Sequence, residues 1–133
     1  MKQIILVAIL LTSSSMLYAQ KNEYLLIVFS GVYDKAAGCD NIVINEYKSE
    51  TAKQASEQER MIRKKDMSAS PYLIKPTDAY VIFKLEVPGS GRQTCSKYRL
   101  FKGKSIEECH NTMKKQLGNK ADKVKVYYER GPL

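Results

Sequence analysis

The sequence predicts an α+β fold, a two-layer sandwich in which a five-stranded, mainly antiparallel sheet carries two helices on one face. Three observations lead there: a strand-like apolar run at Leu25–Phe29, period-two alternation of Val81, Phe83, Leu85 and Val87 against Lys84 and Glu86 in Ala79–Val87, and a capping box opening a helical stripe at Ser105. Gln20 to Leu133 is of the size that closes around one core, so it reads as a single small basic α/β domain.

Residues 1–19 read as a signal peptide. Met1 and Lys2 give a positive start, Ile4–Leu11 is uninterruptedly apolar, and Thr12–Ala19 is more polar and ends in a small residue. Cleavage near Ala19 would release a secreted or periplasmic protein. The apolar run is far shorter than the ~20 residues that span a bilayer, and no later stretch approaches that length, so no transmembrane segment is expected after processing.

The first strand is Tyr24–Tyr33, whose Leu25–Phe29 run suits a strand covered on both faces. After the loop Asp34–Asp40 comes a second strand, Asn41–Tyr47, and the short connection favours an antiparallel hairpin. Ser49 is the expected N-cap of a helix over Glu50–Lys65, with Glu50 in its first turn and Arg63, Lys64 and Lys65 at its last. Pro71 and Pro76 exclude helix from Asp66–Asp78, where Tyr72–Ile74 suits a short edge strand.

Ala79–Val87 places Val81, Phe83, Leu85 and Val87 on one face and Lys84 and Glu86 on the other, which predicts one buried and one wet side. The loop Pro88–Gln93 turns the chain into a partner strand, Thr94–Lys102. Ser105-Ile106-Glu107-Glu108 is a capping box, Ile106, Cys109, Met113 and Leu117 recur at helical spacing, and Gly118 stops the helix. Lys123–Glu129 is the last strand. The order is therefore β-β-α-β-β-α-β, and its βαββαβ part, from about Asn41 to Glu129, resembles a ferredoxin-like fold. That order is also similar to the peptidoglycan-binding SPOR domains of bacterial envelopes, a likeness of topology alone, without a shared motif.

The three cysteines allow three single pairings. Cys95 stands at the far end of its strand, roughly 20 Å from the exit toward the second helix. Cys109 lies only about 6 Å into that helix, whereas bridged Cα atoms lie within about 7 Å. The expected bridge is Cys39–Cys95, both near strand starts, with Cys109 unpaired and buried.

Chemistry-bearing residues are sparse. Cys109 and His110 are adjacent, but consecutive helical residues point about 100° apart and Cys109 lies on the apolar stripe. The single His110 gives general-base catalysis little material, and no zinc-type Cys or His spacing or calcium-type carboxylate loop is present. Pro88–Gln93 lacks the Gly-Lys-Ser/Thr ending of a phosphate cradle. Neither an enzyme nor a bound cofactor or metal is expected.

Charge is the remaining signal. Twenty-two Lys and Arg against 14 Asp and Glu give a net +8, and the leader accounts only for Lys2. Export makes nucleic acid a poor partner and leaves anionic envelope polymers, lipid headgroups or an acidic protein. Arg60, Arg63, Lys64 and Lys65 on the first helix, with Lys114 and Lys115 on the second, would form an anion-binding face if they converged. Lys120, Lys123 and Lys125 surround the second helix's exit. Tyr47, Tyr80, Tyr98 and Tyr127 would line a partner face if the sheet's second side were open. The function expected is a non-enzymatic secreted or periplasmic binding module; the alternative is an inhibitor or immunity-type protein that blocks one partner enzyme.

Overall fold

The computed structural model describes residues 23–89 and 94–133. The expected signal peptide and the Ser90–Gln93 tip of the second hairpin lie outside the described residues. Within them the chain runs β1 (Tyr24–Asp34), β2 (Cys39–Ser49), α1 (Ala52–Lys65), β3 (Ser70–Ile74), β4 (Ala79–Pro88), β5 (Thr94–Gly103) and α2 (Ile106–Leu117). A 3₁₀ helix (Gly118–Lys123) and β6 (Lys125–Arg130) complete it.

The class is α+β with two helices, but the strands form two antiparallel three-stranded sheets rather than one five-stranded sheet, ordered β2-β1-β3 and β5-β4-β6. Each sheet is built by the same consecutive ββαβ unit with the first strand in the centre. The ferredoxin-like expectation fails here, because β4 opens a second sheet instead of entering the first.

Burial explains the split. In β1, Leu25, Ile27 and Phe29 point one way and Leu26 and Val28 the other, and all five are buried. In β4, Ala79, Val81 and Phe83 point toward α2, while Tyr80 and Ile82 point away from it. A single sheet with both helices on one face would leave Leu25, Ile27, Tyr80 and Ile82 in water. Stacking the two sheets places them in one shared core with Phe29 and Ile74, flanked by Ile42, Ile44, Tyr72, Tyr98 and Leu100. The two helices therefore lie on opposite outer faces, α1 packing Ile62 against Leu26 and Val28, and α2 packing Cys109 and Met113 against Val81 and Phe83. The layers are helix, sheet, sheet, helix. The side of β4 expected to be wet is, over Tyr80 and Ile82, the centre of the molecule.

The repeated unit extends to the helix starts. Thr51, not Ser49, is the N-cap of α1: its hydroxyl accepts the Gln54 N–H at 3.2 Å, and the Gln54 side chain in turn accepts the Glu50 N–H at 3.3 Å. Glu50 thus precedes the helix. In α2 the Ser105 hydroxyl accepts the Glu108 N–H at 3.1 Å and the Glu108 carboxylate accepts the Lys104 N–H at 3.3 Å. The carboxylate reaches one residue before the N-cap, not the N-cap itself. Four residues beyond each cap stands a fully buried small side chain, Ala55 and Cys109 respectively, where the helix meets its sheet. Gly118, at φ +56°, ends α2 in the left-handed region that glycine adopts without strain.

Cys39 and Cys95 form a disulfide with Cα atoms 6.0 Å apart, joining the start of β2 to the start of β5 and so one sheet to the other. Cys109 is free and buried, with its thiol 3.7 Å from the Ala79 carbonyl oxygen. Burial, helped by the Glu108 charge, pushes that thiol's pKa up. Arg130 lies over the Tyr80 ring at 5.0 Å, and its buried Nε and Nη2 have no hydrogen-bond partner among the described residues. A cation–π contact is the compensation on offer there. Burial is also the first cause of the raised pKa of the Tyr80 phenol.

Candidate anion-binding groove

The groove arises from a length mismatch on the outer face of the second sheet. The 12 residues of α2 extend about 18 Å, whereas the 10 residues of β4 extend about 33 Å. The helix therefore covers Ala79, Val81 and Phe83 but runs out before Leu85 and Val87, which share their face and stay partly exposed. Period-two pairing brings Arg99 opposite Phe83 and Lys97 opposite Leu85 on β5. Beyond Leu117 the chain turns back through the 3₁₀ helix, bringing Lys120 and Val124 up as the far wall.

The result is a groove of about 300 Å³ with an apolar floor of Phe83, Leu85 and Val87, an apolar wall of Leu117 and Val124 and a cationic rim of Lys97, Arg99 and Lys120; Tyr98 also lines it. No carboxylate lines it, and none of the three cations is in an ion pair among the described residues. Lys97, Arg99 and Lys120 are exposed, and three like charges side by side produce a local positive field.

Arg60, Arg63, Lys64 and Lys65 sit on α1, and Lys114 and Lys115 on α2; since the helices occupy opposite outer faces, the two basic groups do not converge. Arg63 pairs with Glu59 at 3.0 Å in one turn of α1. The four tyrosines do not share an open face either. Tyr47 packs beneath α1 beside Leu26 and Val28, and Tyr80 is buried between the sheets. Tyr98 and Tyr127 are in ring contact, with centroids 5.1 Å apart in an edge-to-face arrangement. His110 points away from the buried Cys109 thiol: its Nε2 lies 3.3 Å from a Glu129 carboxylate oxygen and its ring meets the Phe83 ring at 5.2 Å.

Lys97 and Arg99 were not candidates on sequence, although a signal for them existed. Cations two apart on a strand share a face, and the hairpin with β4 sets that face beside Phe83 and Leu85. A second surface is exposed on the edge strand β6, where Val126, Tyr127 and Tyr128 are consecutive and each about half exposed. No helix among the described residues is long and apolar enough to cross a membrane.

No protein-family profile, curated protein or solved structure matches this chain.

Proposed function

We propose that this chain is an exported, non-enzymatic binding module that holds an anionic partner in the groove on the outer face of its second sheet. The observation that carries the reading is the trio Lys97, Arg99 and Lys120, without an ion pair among the described residues, around a strip of sheet that the helix leaves bare. The Cys39–Cys95 disulfide supports action outside the cytosol, because such bonds persist in oxidising compartments. Envelope polymers bearing phosphate or carboxylate groups are partners of the right charge there.

Heparin, a soluble polyanion, serves as the probe. The oxidised chain is expected to be retained at low salt and released as salt rises, since exposed charge pairs are screened. Lys97→Glu combined with Arg99→Glu is expected to weaken binding about tenfold or more, each decade being about 1.4 kcal/mol. Lys64→Glu with Lys65→Glu, on the opposite face, is expected to change it far less. Equal retention of the groove variant and the native chain would overturn the assignment.

A second reading, an inhibitor or immunity-type protein, is favoured by the exposed Val126–Tyr128 run on the β6 edge. Such a strand suits a packed protein interface, whose affinity would largely survive added salt. Salt dependence therefore separates the two.

A further inference from the structure

We propose that the groove's ligand is a long-chain carboxylate, a free fatty acid whose head meets Lys97 and Arg99 while its chain lies on Leu85 and Val87. The inference rests on the groove being the binding site and adds the chemical class of what fills it. A hydrophilic polyanion such as a sugar phosphate can pair with the rim cations but leaves the apolar floor of Phe83, Leu85 and Val87 in water. Leu85 and Val87, successive residues on one face of β4, set a linear apolar strip about 6.6 Å from one Cβ to the next. Leu117 and Val124 stand against that strip as a wall. A linear alkyl chain matches such a floor, and a single anionic head satisfies the cations at its side.

The partly exposed state of Leu85 and Val87 gives this chemistry its driving force. These side chains already touch water on the outer face, so covering them with methylenes removes apolar surface from both partners. Affinity should then rise about fourfold for each methylene laid in the groove, the equivalent of about 0.8 kcal/mol, and level off once the chain overruns its end. The charged head adds orientation: an alcohol of equal length has the chain without the anion.

The test titrates the full oxidised chain by calorimetry with octanoate, decanoate and dodecanoate below their micelle concentrations and dodecanol below its solubility limit, alongside heparin and phosphatidylglycerol vesicles. Dodecanoate should bind at least tenfold more tightly than octanoate and about tenfold more tightly than dodecanol. Leu85→Gln should lose most dodecanoate affinity and keep heparin binding, and Val87→Gln should do the same if the first variant is not folded by circular dichroism. Lys97→Glu with Arg99→Glu should weaken both ligands. Affinity independent of chain length, an unaffected pair of glutamine variants, or binding to anionic lipid vesicles without binding to dodecanoate would each overturn the fatty-acid assignment. If heparin still binds through Lys97 and Arg99 in any of those outcomes, the broader anion-binding reading stands; if neither probe binds, both fall.

Discussion

Replacing Cys39 and Cys95 together with serine is expected to cost about 4 kcal/mol of stability, from the loop-entropy relation applied to a 56-residue separation. That is a large share of the 5–15 kcal/mol that typically separates a folded domain from its unfolded chain. The bond has this leverage because of where it sits. It does not staple a hairpin whose strands are already adjacent; it ties β2 of one sheet to β5 of the other. Without it the unfolded chain explores far more conformations, while the native sheets retain only their shared apolar core to hold them together. Urea unfolding of the oxidised chain against the double-serine variant measures this. The midpoint should fall steeply, and the slope should rise as the uncrosslinked unfolded state exposes more surface. Equal midpoints would mean that the two halves associate with no help from the bridge.

Ile82→Ala is expected to destabilise by about 2–5 kcal/mol, the range for truncating a buried isoleucine. Ile82 is 3 % exposed and belongs to the core between the sheets, with Leu25, Ile27 and Ile74 around it. Its side chain points away from α2. A single sheet with both helices on one face would leave it solvated, and truncation would then cost next to nothing. Val126→Ala on the exposed β6 strand provides the control, with an expected change within about 0.5 kcal/mol. Similar small losses at both positions in denaturant titrations would contradict the stacked arrangement.

Local signals in the sequence located nearly every element, and the reasons are visible in the structure. Leu25–Phe29 announced a strand buried on both faces because each residue is apolar, and all five are buried. Ser105 and Gly118 bounded α2 because capping and chain reversal are settled by a few adjacent residues. Ser49 does not cap α1 because it finishes β2; Thr51, the hydroxyl residue on the other side of Glu50, takes that place.

Sheet membership was not legible, because it depends on which distant face each strand buries. In β4 the charged residues Lys84 and Glu86 suggested a wet side, yet they stand near the strand's free end, and the same side at Tyr80 and Ile82 is core. The repeated ββαβ unit was hidden for a similar reason. Its equivalent positions hold chemically different residues, such as Ala55 and Cys109 where each helix meets its sheet. The groove followed the same logic. Lys97 and Arg99 acquire meaning only once α2 is seen to stop short of Leu85. By contrast, element lengths argued against Cys95–Cys109, and the bridge present is Cys39–Cys95, the one expected because both cysteines lie near strand starts.

Chemical-shift mapping of the isotope-labelled, oxidised chain during titration with an anionic ligand tests most directly whether the bare end of the second sheet is the binding surface. Perturbations should concentrate at Leu85, Val87, Lys97, Arg99 and Lys120 and fade with distance from them. Perturbations centred instead on Arg60–Lys65 of α1, or along β6 with those five silent, would contradict it.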